Sequence, residues 1–143
     1  MNFRLYSVTN MYFSGIHAGI QTGHAIGEMA SKYLPTPDTR DNWPRADYVE
    51  WANIHKTVIT LGGGGHDDLL RLQGYLENMQ ANLAWSMFKE SKLAANECMT
   101  CVAVVLPEEL WPNNFDPSKW TPWHSDENLF KFIMELRRMG LAR

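Results

Sequence analysis

Hydrophobic and polar positions along the chain alternate between two periods. "FRLYSVT", Phe3 to Thr9, is rich in aromatic and β-branched residues and predicts a first strand. From Ile16 to about Tyr33 the period is helical, and Pro35 and Pro37 stop it. A loop over Leu34 to Arg45 precedes a short helix at Ala46 to Ile54. "KTVITL", Lys56 to Leu61, then predicts a short interior strand. Leu69, Leu72, Tyr75, Leu76 and Met79 fall at helical spacing after a four-glycine turn, with Asp67 and Asp68 suited to the positive end of that helix. Ala84 to Glu90 and Met99 to Leu106 read as two further strands. A Pro/Trp-rich surface wrap follows, and "SDENLFKFIMELRRMG" closes the chain as a helix capped by Ser125 and stopped by Gly140.

This order of elements predicts one α/β domain over residues 1–143, with a mixed sheet of about four strands and helices packed on it. Residues 107–143 form the wrap and the last helix. A chain of 143 residues is long enough for a single core. Its 45% apolar content marks it as globular. No apolar run approaches the ~18–20 residues of a membrane span, and the first ten residues do not form a secretory signal. We therefore expect a cytoplasmic protein. The net charge of −3 argues against a long nucleic-acid partner, which generally requires a basic footprint. A small ligand with one or two phosphates remains compatible with it.

The segment "MYFSGIHAGIQTGHAIGEM" carries two stripes. Gly15, Gly19, Gly23 and Gly27 recur every four residues and so line up along the helix. Interior glycines cost about 1 kcal/mol each against alanine, so the stripe needs an offset. Close approach to the sheet is one, and close approach to a second copy is another. His17, Gln21, His24 and Glu28 form the second stripe, facing either solvent or a pocket. The two histidines are separated by about 10 Å of helical rise, too far to share one ion, so no metal site is predicted. No cofactor is predicted either.

Other motifs are weaker. Cys98 and Cys101, three apart at the start of a strand, point to opposite faces and read as reduced structural cysteines. "GGGGHDD" lacks the Lys-Ser/Thr of a phosphate loop, and its aspartates already occupy the helix start; it reads as a turn. The helix beginning at Gly15 has no acid near its start. Its amides follow Tyr12, Phe13 and Ser14, a combination suited to an anion beside a stacked base. Candidate ligand-binding residues are thus Tyr12, Phe13, Ser14, Gly15, His17, Gln21 and His24, with Trp85, Phe88, Lys89, Glu90, Asn96 and Thr100 as the opposite wall. Lys89 and Lys92 are the candidate phosphate-facing cations. The Trp-rich stretch Leu110 to Trp123 either binds a protein partner or staples the tail to the core through Trp111, Trp120 and Trp123.

"AGIQTGHA", Ala18 to Ala25, resembles the helix of type II peptidyl-tRNA hydrolases. "YVEWANIHKTVITLGGGGHDDLLRLQGYL" is similar to that family's Trp segment, lysine-led strand and Leu-rich helix. The resemblance implies the same fold and, as one reading, an esterase acting through His17 or His24. The family's catalytic lysine has no counterpart at Ser14 to His17, however. Its Asp-Ala-Gly-Arg-Thr run is matched only loosely by Glu90 and Thr100. The combination "MYFSGIHAGIQTGHA", "HKTVITLGGG" and "TCVAVVLPEELW" also resembles small bacteriophage early proteins that sequester cyclic-dinucleotide signals of bacterial CBASS immunity. That resemblance implies a non-catalytic, homo-oligomeric sponge for a ligand such as cyclic GMP–AMP, acting in the infected cell's cytoplasm.

Overall fold

A computed structural model describes residues 2–33, 43–91, 98–119 and 125–141. In chain order the elements are β1 (Phe3–Thr9), α1 (Ile16–Lys32), α2 (Trp43–Glu50) continuing into a π-helical turn (Trp51–His55), β2 (Val58–Gly62), α3 (His66–Asn78), β3 (Trp85–Lys89), β4 (Met99–Pro107) and α4 (Glu127–Arg138). Short 3₁₀ turns at Glu108–Leu110 and Pro117–Lys119 lie between β4 and α4. The four strands form one mixed sheet in the order β2-β1-β4-β3. β1 and β2 are parallel, joined through α1 and α2, and the other pairs are antiparallel. The predicted α/β class and four-strand mixed sheet are what the structure shows.

Strand period sorts side chains onto the two faces. Phe3 and Leu5 of β1 join Cys101, Ala103 and Val105 of β4 on the side covered by α1, with Ala25, Met29, Tyr33 and Trp51 packed above them. Tyr6 and Val8 join Val102, Val104 and Leu106 on the other side, under Leu69, Leu72 and Leu76 of α3 and Leu129, Phe132, Ile133 and Leu136 of α4. Every residue of β4 is buried, as a central strand covered on both faces requires.

Two expectations are corrected here. β2 is an edge strand, not an interior one: it pairs with β1 alone among the named strands, and among the described residues its outer side carries an isolated bridge from Leu61 to Leu141. A β-branched run marks a strand, but it carries no information about the number of neighbours. The cap of α4 is Asp126, not Ser125. Its buried carboxylate accepts the Leu129 amide of its own helix and also the Gln80 and Ala81 amides from beyond α3, at 2.9 and 2.8 Å. That second duty comes from a segment 45 residues upstream and outranks the local capping preference.

Candidate functional site

α1 rests on the sheet through small and polar residues. Its buried positions are Ala18, Gln21, Thr22, Ala25 and Met29. Ser7 of β1 bridges the Thr22 hydroxyl at 2.7 Å and the Cys101 thiol at 3.1 Å. The Ser86 hydroxyl donates to the Ala25 carbonyl at 2.6 Å. The Thr100 hydroxyl donates to the Gln21 side-chain carbonyl at 2.7 Å. These bonds satisfy groups that would otherwise be costly to bury, and they hold the helix in register over β3 and β4.

The glycine stripe is not what lies against the sheet, contrary to one of the two offsets considered above. A Cβ built at Gly19, Gly23 or Gly27 meets nothing within 4 Å. At 100° per residue the stripe lies roughly opposite the Ala18–Gln21–Ala25 line, so it is turned outward. Exposed Ile16 and Ile20 flank it. Gly15, at the helix start, adopts φ +57°, a backbone conformation that favours glycine.

The second stripe divides. Gln21 is buried, whereas His17, His24 and Glu28 are exposed. His24 stacks on Phe88 of β3 with ring centroids 4.4 Å apart and planes 14° from parallel. The fold thus brings candidate residues of the two walls together as Gln21 with Thr100 between α1 and β4, and His24 with Phe88 between α1 and β3.

The turn before α1 is built by a residue the sequence reasoning passed over. Asn10 is fully buried; its side-chain amide donates to the Met99 carbonyl at 2.9 Å and to the Cys98 sulfur at 3.3 Å. Its side-chain oxygen accepts the Tyr12 amide and its backbone carbonyl accepts the Phe13 amide. The available signal was an asparagine closing a strand ahead of an aromatic pair, a common turn former. Asn10 thus presents Tyr12, 77% exposed, and half-buried Phe13 beside the start of α1. The His17 amide is engaged by the Ser14 carbonyl at 3.1 Å, and the first turn of α1 carries no acid.

The remaining candidates do not converge on that spot. Trp85 and Phe88 are three apart on β3 and belong to opposite faces. Phe88 packs under α1, while Trp85 packs with the α3–α4 core. Lys32 reaches over the strand edge to Trp85, its ammonium 4.1 Å from the indole centroid. The Tyr33 hydroxyl bonds both backbone groups of Trp85. A cavity of about 330 Å³ lies at this edge, walled by Glu28, Lys32, Trp85 and Met87. His17 and Lys32 are about 22 Å apart along the helix, so Trp85 stands at the far end of the seam from Tyr12. Lys89 is exposed beside a register shift in β3, and the Glu90 amide bonds the Cys98 carbonyl. Asn96 and Lys92 lie outside the described residues, as do Trp120 and Trp123. Trp111 is buried, its indole N–H donating to the Leu106 carbonyl, which fits a staple.

The four-glycine segment forms a turn. Gly63 packs so closely that a Cβ would come within 2.6 Å of Val8 Cγ1. Asp68 accepts the Gly65 amide at 2.9 Å, occupying the start of α3. Cys98 and Cys101 are both unpaired thiols, and burial pushes Cys101 up to about 11. No group of three metal-ligating side chains occurs among the described residues, and no helix among them is long and apolar enough to cross a membrane. No protein-family model matches the chain, and no curated protein matches it.

Proposed function

We propose that the protein binds a small anionic nucleotide of the cyclic-dinucleotide class without cleaving it, on the face bounded by Phe13 to His17, His24 and Phe88. The observation that carries this reading is the His24–Phe88 stack, anchored from below by the buried Gln21–Thr100 bond and lying along α1 from an acid-free helix start. The outer face of exposed His24, backed by Phe88, can accept a base, as aromatic platforms do at ~1–3 kcal/mol each, and the positive end of a helix favours phosphate. Exposed Tyr12 offers a further stacking surface. The absence of a lysine between Asn10 and His17 argues against the esterase reading. The resemblance to bacteriophage sponges extends the proposal to sequestration of CBASS signals such as cyclic GMP–AMP.

A homo-oligomer belongs to the same reading. The outward face of α1 carries the bare backbone of Gly19, Gly23 and Gly27, flanked by exposed Ile16 and Ile20. Two antiparallel copies related by a two-fold axis would set these stripes against each other, as an isologous contact demands. Bare glycine backbones would then approach closely.

Calorimetric titration with cyclic GMP–AMP, followed by chromatography of the ligand released on heating, tests the function. Saturable binding and intact ligand are expected. Cleaved ligand would replace the sponge with an enzyme, and absence of binding would remove both.

A further inference from the structure

On the sheet face opposite α1, a second cavity of about 330 Å³ opens between β1, β2 and the end of α4. Tyr6, Ile59, Leu136 and Met139 give it an apolar wall, and Arg4 and Arg137 are its charged lining. Among the described residues, no carboxylate lines it. Among the described residues neither arginine forms an ion pair within 4 Å; Arg4 donates to the Tyr6 hydroxyl, and Arg137 lies within the field of the exposed Asp116 carboxylate. Arg4 lies over the indole of Trp111 at 3.7 Å from its centroid. That contact holds the guanidinium in place while leaving its in-plane N–H groups directed away from the ring.

We infer that this cavity binds a small organic anion with a flat apolar body, its carboxylate, sulfonate or phosphate meeting Arg4 and Arg137. The volume lies at the lower end of the range for small-molecule sites, which combine apolar walls with few polar groups. A bare inorganic anion is a poor occupant. The last carbonyls of α4 end at the same place and carry partial negative charge, so the two guanidiniums need an apolar ligand body to share the binding. Arginine suits the anionic group because its planar fork binds such oxygens two at a time. This site is separate from the α1 face, and its test leaves that proposal untouched.

The probe is 1-anilinonaphthalene-8-sulfonate, titrated into the full chain by fluorescence and calorimetry, with the neutral dye N-phenyl-1-naphthylamine as its uncharged counterpart. One saturable site per chain is expected, at least tenfold weaker for the neutral dye. The Arg4→Gln/Arg137→Gln double variant should lose at least tenfold in affinity for the sulfonate and nothing for the neutral dye. Arg137→Gln alone, at an exposed side chain, keeps the test open should the double variant unfold, and should lose about threefold. Ile59→Trp, which fills the cavity, should abolish binding with the near-ultraviolet circular dichroism of a folded chain retained. Equal affinity for the two dyes, or sulfonate binding indifferent to the arginine substitutions, overturns the inference.

Discussion

The two faces of the sheet are covered by different chemistry. Under α3 and α4 the contact is made by Leu, Val, Ile and Phe side chains interdigitating around Phe132. Under α1 a smaller apolar cluster of Phe3, Leu5, Met29 and Trp51 with Ala25, Ala84 and Ala103 is joined by Ser7, Thr22, Thr100 and Gln21, hydrogen-bonded between helix and strands. Apolar burial stabilises in proportion to area and tolerates small shifts, whereas a buried hydroxyl bond fixes position and contributes about 1 kcal/mol net. The α3–α4 face is therefore where the larger share of the apolar burial resides. The α1 face is where a helix is placed with defined register, its remaining surface left uncovered.

That contrast can be broken by substitution. Phe132→Ala should cost ~3–5 kcal/mol, because the ring is fully buried and its cavity cannot collapse, as read from chemical denaturation. Ser7→Ala, on the opposite face, should cost ~1–3 kcal/mol by removing the buried hydroxyl that bridges Thr22 and Cys101. Equal costs would erase the distinction between the faces.

Glycines sharpen it further. Gly63→Ala should destabilise by ~1–3 kcal/mol, since the new methyl meets Val8 and the Thr9 carbonyl. Gly23→Ala should instead stabilise the isolated chain by up to ~1 kcal/mol, as its Cβ enters open space on a helix. The same variant should weaken self-association in sedimentation velocity. A monomer with unchanged sedimentation in both forms would remove the second-copy reading of the stripe.

The smallest effect concerns pH. Burial, helped by Glu50, raises Asp47 from its ordinary 3.8 to about 6. An acid whose folded value is raised is best tolerated when protonated, so its contribution is present below pH 4 and lost as pH climbs towards 6. Asp47→Asn should leave stability at pH 4 unchanged and flatten the decline between pH 4 and 6. Melting temperatures across that window provide the check.

The fold was largely legible in the sequence because its strongest signals are local. β1 and α1 begin where the pattern places them, and the apolar spacing of α4 leaves one orientation for Leu129, Phe132, Ile133 and Leu136. What stayed hidden depends on distant partners. The cap of α4 moved to Asp126 because of amides near Gln80, and β2 became an edge through sheet order alone. The outward turn of the glycine stripe was obscured because the side of α1 that meets the sheet is itself built of Ala, Thr and Gln, which do not advertise burial. Within the candidate site, Gln21 meets Thr100 and His24 meets Phe88, contacts between distant segments that no local pattern specifies. Trp85 did not join them, since strand alternation sends it to the other face. Asn10, which shapes the turn, required the contacts of Met99 and Cys98 to be recognised.

The central claim is that the α1 face holds an intact cyclic dinucleotide against His24 and Phe88. Calorimetric titration of cyclic GMP–AMP into the native chain and into Phe88→Ala, a half-buried position whose loss should leave the fold intact, addresses it most directly. Saturable binding by the native chain and a loss of about 5- to 150-fold in the variant, equivalent to ~1–3 kcal/mol of stacking, is the predicted result. Binding of equal strength to both proteins would contradict the account.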